Sequence, residues 1–391
     1  MALTLDGTNG IVSSGSITTQ SATGVIFSDS SNQGAAASPF SLKNRIINGD
    51  MVIDQRNAGA SVTIPATSVT YTVDRWFGYG SQASKFTVQQ NAGSVTTPAG
   101  FTNYLGVTSS SAYSVGASDL FIVSQRVEGL NVADLAWGTA SAATVTLSFW
   151  VRSSLTGTFG GSLKNSAGAR TYPFSYTISA ANTWEKKSVT IPGDTSGTWL
   201  TTNGIGIDLN FGLGAGSGFS GTAGSWQAAN LVSATGSTSV VGTNGATWYI
   251  TGVQLERNTT ATPFEWIPYG TELALCQRYY QTLPFDSGYI APATAINTSA
   301  ARGPLFQLNV NMRAAPTVTL PATGSGAGQL HYANTSGNVP STIGTNSVLG
   351  VQVNSFRVEG DVYTSAFTAG NAVLLRIGSG AGASITASAE L

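Results

Sequence analysis

The chain has 391 residues, of which 9% are charged and 41% hydrophobic, and its formal net charge is −1. Ordinary soluble proteins carry roughly 25% charged residues, whereas disordered chains lack the aromatic residues that this chain has in 8 Trp, 13 Tyr and 16 Phe. The composition therefore excludes a disordered protein, and the lack of any Lys/Arg cluster excludes binding to DNA or RNA, which needs positive charge against phosphate.

Local features of the sequence exclude further classes of protein and site. No apolar run approaches the ~18 to 20 residues of a membrane span, so we expect no membrane insertion. Residues Met1–Asp6 have neither the basic start nor the apolar stretch of a secretory signal. The single cysteine, Cys276, excludes an intrachain disulfide and a cysteine-based metal site. These features fit a protein that is made in a cytoplasm and works outside it.

Residues 1–43 are of low complexity, with Asp6 and Asp29 as the only charged residues before Lys43. Short β-prone patches lie between Gly and Ser clusters, and such a segment buries too little apolar surface to offset its chain entropy. It is either a disordered tail or an extended anchor that orders against a partner or against copies of itself.

Residues 44–269 contain all eight tryptophans and a series of short runs with alternating polarity. Alternation with turn signals between the runs is typical of antiparallel strands. Eight or more such runs without intervening helices predict an all-β fold, an antiparallel β-sandwich of the jelly-roll type. The strands include the segments 69–73, 85–89, 120–124, 145–151, 172–178, 188–191, 205–211 and 247–255.

A short connector helix is predicted over residues 270–284. Thr271 can cap it, Glu272 suits its positive N-terminal end, and Leu273, Cys276, Tyr280 and Leu283 fall on one helical face. Alternating segments recur from residue 285 to 391, without tryptophan, and predict a second, smaller β-sandwich domain.

Strand parity predicts the core of the jelly roll. Side chains alternate between the two faces of a strand, so the apolar set points inward and its neighbours point outward. The predicted core positions are Phe149, Val151, Leu209, Phe211, Val253 and Leu255. Trp76, Trp184, Trp248 and Trp266 are also expected in the core.

An ordered series of motifs resembles known families. Residues 44–50 (NRIINGD), 74–76 (DRW), 147–152 (LSFWVR), 183–190 and 248–256 follow the order of the galactose-binding-type jelly roll in family-four and family-nine carbohydrate-binding modules. The same series, followed by residues 263–280 and 313–317, resembles bacteriophage tail-fibre proteins more closely. The resemblance covers about residues 44–320.

The resemblance implies a subunit on the exterior of a phage particle, in a tail fibre or tailspike, that binds host cell-surface polysaccharide. It also implies a homotrimer whose residues 1–43 attach to other tail or baseplate proteins. The carbohydrate-binding modules often hold a structural calcium ion, but Val52 and Thr251–Gly252 stand where their carboxylates would be. A calcium ion needs several oxygen ligands, so we expect no metal and no other cofactor.

Parity also yields a candidate sugar site. Sugars bind to aromatic rings and to planar polar side chains. The outward positions of the predicted strands are typical of such a site and are Trp150, Arg152, Arg126, Asp208 and Asn210. The alternative is that Trp150 packs under a loop while Arg152 and Asp208 form a structural ion pair.

Catalysis is not expected. His331 is the only histidine, and no marked nucleophile accompanies it for a triad. Most acidic residues stand singly beside turns, whereas a glycan depolymerase needs two carboxylates about 5 to 10 Å apart. Three functions therefore remain: a non-enzymatic receptor-binding fibre, a purely structural virion component such as a head decoration or tail adaptor, and a depolymerase.

Overall fold

A computed structural model describes residues 25–26, 32–33, 43–286, 288–334, 344–361, 363, 367–378, 380 and 382–391. The chain divides into two compact units, residues 1–43 and residues 44–391. In the first unit β1 (Val25–Ile26) pairs with β2 (Asn32–Gln33) in an antiparallel arrangement. The anchor predicted over residues 1–43 otherwise lies outside the described residues.

Two six-stranded antiparallel sheets form the larger part of the second unit. Sheet A consists of β4 (Thr70–Tyr71), β5 (Trp76–Gly80), β8 (Leu120–Glu128), β10 (Gly157–Lys164), β11 (Thr171–Ile178) and β13 (Ile205–Ala215). Sheet B consists of β3 (Val62–Thr63), β6 (Phe86–Gln90), β7 (Leu105–Ser109), β9 (Val145–Ser153), β12 (Glu185–Ile191) and β16 (Thr247–Glu256). The strand orders are β11-β10-β13-β8-β5-β4 in sheet A and β12-β9-β16-β7-β6-β3 in sheet B.

The chain passes repeatedly from one sheet to the other, as in a jelly roll. After β9 in sheet B it forms β10 and β11 in sheet A, returns to sheet B for β12, crosses to β13 and ends in β16. A short parallel pair, β14 (Ser220–Gly221) and β15 (Ser233–Ala234), lies in the connection between β13 and β16. Single 3-10 turns occupy Ala92–Ser94, Gly129–Asn131 and Ala133–Leu135. The predicted fold class is confirmed.

The core between the sheets follows the predicted parity. The six predicted core residues, Phe149, Val151, Leu209, Phe211, Val253 and Leu255, are all fully buried. The Phe211 ring of sheet A lies 5.1 Å from the Phe149 ring and 5.5 Å from the Trp248 ring of sheet B, measured between centroids. A one-residue error of register would have put these side chains in solvent, so the alternation in the sequence identifies the inner faces correctly.

The closing strand β16 contains a bulge that its sequence explains. Trp248 and Ile250 point inward, and after a shift of register between Thr251 and Gln254 so do Val253 and Leu255. Gly252 provides the extra residue with φ of 60°, a left-handed conformation that glycine adopts without steric cost.

The opening motif, residues 44–50, is structural. It runs beside β16, where the Val253 amide donates to the Gly49 carbonyl at 2.9 Å. A Cβ atom on Gly49 would lie 2.2 Å from the Val253 oxygen, so only glycine permits this approach. The buried Asn48 side chain donates to the carbonyls of Ile53 (2.8 Å) and Asp74 (2.9 Å).

The connector helix is shorter than predicted. Helix α1 covers Tyr269–Gln277, whereas residues 280–284, which the sequence predicts in the same helix, belong to a strand over Tyr280–Phe285. Leu273 and Cys276 do lie on the helix, but Tyr280 and Leu283 belong to that strand. The strand pairs with residues 383–388 at the far end of the chain, and a helical period read locally cannot reveal so distant a partner.

The C-terminal region forms a second sandwich, which begins before the predicted start at residue 285. Sheet C consists of β17 (Tyr280–Phe285), β20 (Thr317–Thr319) and β25 (Ala383–Ser388) in the order β17-β25-β20. Sheet D consists of β18 (Gly288–Ala295), β19 (Ala301–Gln307), β21 (Leu330–Asn334), β22 (Thr345–Gln352), β23 (Ser355–Asp361) and β24 (Ala372–Ile377). Its strand order is β21-β24-β18-β19-β23-β22. One hydrophobic core, with Phe356, Leu375 and Ile385 fully buried, joins the two sheets.

Candidate functional site

The outer face of sheet A presents a regular grid of polar and aromatic side chains. Cross-strand pairing aligns Lys164 of β10 with Asp208 of β13, and Asp208 with Arg126 of β8. In the next row outward-facing Ser124 stands opposite Phe77 of β5. Their inward neighbours fill the core, so strand parity alone places these side chains on the outer face of sheet A.

This face forms a cleft with a volume of about 320 Å³. Its apolar lining comes from the sheet, from the residue before β4 and from the connection between β13 and β16, and it consists of Val69, Phe77, Tyr79, Leu120, Ile122, Phe219 and Val232. Its polar lining consists of Arg126, Lys164, Asp208 and Asn230. Phe77, Ile122 and Val232 are buried, whereas Tyr79 is partly exposed at the cleft.

Asp208 stands at the centre of the polar lining. Its Oδ1 accepts a hydrogen bond of 2.7 Å from Ser124 Oγ, and its Oδ2 lies 3.6 Å from Lys164 Nζ. Lys164 Nζ also donates to Asn230 Oδ1 at 3.2 Å. These contacts fix the Lys164 ammonium group between the sheet and the connection that carries Asn230.

Arg126 is held from several sides. Its guanidinium lies over the Phe77 ring, 4.9 Å from the centroid, which is a favourable cation–π distance. Its Nη1 donates to the main-chain oxygen of Leu391. Its own main-chain carbonyl accepts a hydrogen bond of 2.6 Å from Arg75 Nη2. Arg126 is therefore a partly buried and well-oriented cation at the edge of the cleft.

The connection between β13 and β16 packs down onto the sheet and forms one wall. Ser162 Oγ of β10 donates to the Leu231 carbonyl at 3.0 Å, and the Val232 amide donates to the Phe219 carbonyl at 2.9 Å. Asn210 lies beneath this wall, where its Nδ2 contacts Ser162 Oγ at 3.2 Å, and it is fully buried. Asn210 therefore cannot reach a ligand in this structure, contrary to the prediction.

The predicted constellation is divided between the two sheets. Arg126 and Asp208 line the cleft on sheet A, but Trp150 and Arg152 lie on β9, on the outer face of sheet B. The prediction that the five residues share one sheet face is wrong, because parity gives the face of a strand but not the sheet to which the strand belongs. An ion pair between Arg152 and Asp208 is excluded for the same reason.

On sheet B the predicted residues have structural neighbours. Trp150 is partly buried between its cross-strand neighbours Lys186 and Thr251. Arg152 Nε donates to the Asn182 carbonyl at 3.0 Å, and its guanidinium lies 5.6 Å from the Tyr249 ring centroid.

Two of the four tryptophans expected in the core are not fully buried. Trp76 and Trp248 are buried as predicted, whereas Trp184 is partly exposed. Trp266 is 54% exposed and lies against Phe101 and Phe264, at centroid distances of 4.8 and 4.9 Å. Its prediction as a core residue is wrong, because it lies in a connection rather than in a strand.

Sequence reasoning missed Lys164, Tyr79 and Asn230. Strand parity could have identified Lys164. Phe159 and Leu163 of β10 point inward, so the alternation puts Lys164 on the outer face with Ser162. The alternation along β5 likewise puts Tyr79 on the outer face. Asn230 lies in a connection, and only the tertiary fold brings it to the cleft.

Within the described parts of the chain, no group of three or more His, Cys, Asp and Glu side chains is placed to hold a metal ion. None of the helices described there is long and apolar enough to cross a membrane.

Comparisons with known proteins give structural neighbours only. No protein-family model and no curated protein sequence matches the chain. Solved structures that it resembles include a family 61 carbohydrate-binding module in complex with β-1,4-galactotriose, at 12% identity and a TM-score of 0.26, covering 47% of this chain and 88% of the module. A family 11 module from Clostridium thermocellum, in complex with a β-1,3-1,4-mixed-linked tetrasaccharide, has 14% identity and a TM-score of 0.24, covering 51% and 98%.

A third neighbour is the enzymatically active domain of tailspike protein 4 from bacteriophage CBA120. It has 12% identity and a TM-score of 0.30; the match covers 56% of this chain but 22% of the tailspike chain. TM-scores this low assign neither a ligand nor a source to the protein.

Proposed function

We propose that the chain is a non-enzymatic glycan-binding subunit of a bacteriophage tail fibre or tailspike, and that the cleft on sheet A binds a sugar of the host surface. One observation carries the sugar-binding part: an apolar and aromatic lining stands beside fixed polar side chains in one concave site. A pyranose needs this combination, because its C–H face packs on apolar groups while its hydroxyls need hydrogen-bond partners.

The dimensions of the cleft support the same ligand class. A volume of about 320 Å³ is at the lower end of the ~300–1,000 Å³ of small-molecule pockets. The site therefore suits one or two sugar units rather than a long chain. Its walls belong to sheet strands and to a connection hydrogen-bonded to them, so little ordering entropy is lost on binding.

The assignment to a phage particle rests on the sequence. The low charge and the ordered motifs of residues 44–320 resemble those of tail-fibre proteins. A virion exterior location and host adsorption follow as part of the proposal. Binding without turnover is proposed because the cleft lining contains a single carboxylate side chain, Asp208, whereas glycoside hydrolysis normally uses two.

A glycan array followed by calorimetry tests the proposal. Tyr79→Ala should weaken glycan binding by about 1 to 2 kcal/mol, from the lost ring contact and apolar area. Trp150→Ala on sheet B is the matched control and should leave affinity unchanged. The reverse pattern would place the site on sheet B, and release of oligosaccharides by the wild type would show that the protein is an enzyme. Binding to virion proteins without any glycan binding would instead support the role of a purely structural virion component.

A further inference from the structure

The cleft on sheet A has an excess of positive charge. Two cations, Arg126 and Lys164, line it together with one carboxylate side chain, Asp208. The whole chain has only 17 Lys and Arg residues among 391, so two in one small concave site are a local concentration. The lining side chains therefore carry a net charge of +1 at neutral pH.

The side-chain oxygens of Asp208 and Asn230, which line the cleft, already have hydrogen-bond or ion-pair partners. Asp208 Oδ1 accepts from Ser124 Oγ at 2.7 Å, and Oδ2 faces Lys164 Nζ at 3.6 Å. Asn230 Oδ1 accepts from the same Nζ at 3.2 Å. A ligand that mainly donates hydrogen bonds would have to displace these contacts.

Hydrogen-bond donors, in contrast, remain available to a ligand. The Lys164 ammonium has three N–H groups and the Arg126 guanidinium has five. The described contacts of Lys164 are with Asp208 and Asn230, and Arg126 donates from Nη1 to the Leu391 main chain. No carboxylate side chain in the described part of the chain lies within ion-pair distance of Arg126; Nη1 is taken by the main-chain oxygen of Leu391, the last residue of the sequence, so the donors of Nη2 are the ones that remain.

We propose that the cleft is selective for acidic glycans, whose sugar carboxylates are bound by Lys164 and Arg126 while the ring face packs on the apolar lining. This inference rests on the proposed function and names the ligand class of the same site. A carboxylate is acceptor-only and negatively charged, so it matches the donors that remain and the net charge of the lining. Hydrogen bonds between ionised partners are also the stronger kind.

The test compares an acidic oligosaccharide with the same molecule after reduction of its carboxyl groups. The probes are an oligogalacturonide with its carboxyl-reduced product, and sialyllactose with its carboxyl-reduced product. In the pair that binds better, the acidic probe should bind at least about tenfold more tightly than its neutral counterpart. The neutral probe lacks one charge-assisted hydrogen bond, and a loss of that size is expected from it. Its affinity should fall as salt is raised, because a partly exposed charge pair is screened.

Three variants locate the effect. Lys164→Met should abolish most of the preference for the acidic probe, and Lys164→Arg should retain it. Lys186→Met removes an exposed cation from sheet B and is the matched control, with no change expected. Melting temperatures of all three variants show whether a loss reflects binding or folding.

The outcomes separate the two proposals. Equal affinity for the acidic and reduced probes would overturn the acidic-glycan inference and leave glycan binding intact. An acidic preference that survives in Lys164→Met would overturn the assignment to this residue. Absence of binding to any glycan would refute the proposed function itself.

Discussion

Glu390 is a buried carboxylate that two arginines share. Its side chain is 7% exposed and contacts Arg56 Nη2 at 2.6 Å and Arg75 Nη1, and Arg75 is 1% exposed. The Arg75 guanidinium also lies over the Tyr279 ring, 3.5 Å from the centroid. Since β25 ends shortly before Glu390, this contact fastens the end of the C-terminal sandwich to the jelly roll.

Removing Glu390 should therefore destabilise the protein strongly. Glu390→Ala leaves the Arg75 charge buried without a carboxylate. Losing one partner of a buried ion pair lowers the free energy of unfolding by about 3–5 kcal/mol. Asp134→Ala is the control, since it breaks an exposed pair with Arg45 that is worth at most about 1 kcal/mol. Denaturant unfolding measures both, and similar losses in the two variants would contradict the structural role given to Glu390.

Glu272 makes stability depend on pH. Burial raises its pKa from 4.5 to about 7, and the negative charges of Asp50 and Glu265 add to the effect, while the Asn48 amide opposes it. The unfolded chain loses this proton at lower pH than the folded protein. Between about pH 4.5 and 7 the folded state thus binds more protons, and its stability falls as pH rises.

Glu272→Gln should remove most of that dependence. The amide oxygen can still accept from the Asn48 amide, but no charge is desolvated at high pH. The variant should melt higher than the wild type at pH 8 and about the same at pH 4. Burial raises the pKa of Asp74 to about 6, so a smaller slope should remain. Glu185→Gln, at a carboxylate whose pKa is lowered by Lys187, serves as control; no change of slope in Glu272→Gln would contradict the assignment.

At the scale of elements, alternation in the sequence identified most strands and the inner faces of the sandwich. Phe149 and Leu209 were predicted in the core because each lies in a run with clear period two. The connector helix was overextended because Tyr280 and Leu283 fit a helical period, while their strand partners lie some hundred residues away, at 383–388. A local sequence pattern does not show that a segment pairs with a strand so far along the chain.

The candidate site was predictable only in part, for the same reason. Arg126 and Asp208 were identified because parity shows that they point outward. Trp150 was grouped with them although β9 belongs to the other sheet. Which strands are neighbours depends on the jelly-roll crossings, and no property of a single strand encodes them.

The bulge in β16 should be sensitive to substitution. Gly252 has φ of 60°, and a Cβ atom there would lie 2.6 Å from the Phe101 ring. Gly252→Ala should cost about 1–2 kcal/mol for the left-handed backbone, and more for the clash. Gly224→Ala is the matched control, since its φ is 89° and nothing lies within 4 Å of its Cβ position. Thermal unfolding should show the larger loss at Gly252; equal losses would mean that Phe101 moves aside without cost.

At the scale of the whole molecule, the proposed glycan binding by one small cleft favours an assembly of several copies. A site for one or two sugar units binds weakly, because few atoms are buried and association has a large entropic cost. Linking copies raises the overall avidity by about 10² to 10⁴ without a new contact. Residues 1–43 are the candidate link, since their β-prone patches are too small to bury an apolar core alone.

We therefore expect a symmetric homo-oligomer, proposed as a trimer by resemblance to tail-fibre proteins, that residues 1–43 hold together and attach to other virion proteins. Residues 44–391 form a compact unit of their own, so deleting residues 1–43 should leave both β-sandwiches folded. Light scattering should then report a lower mass than for the full chain, and binding to a glycan-coated surface should weaken by roughly the avidity factor of 10² to 10⁴. Affinity for a soluble monovalent glycan should not change, because the cleft on sheet A is intact, and this comparison separates loss of assembly from loss of the site. A full-length chain that is monomeric at micromolar concentration, with a deletion variant that still enters virions, would refute both roles of the segment.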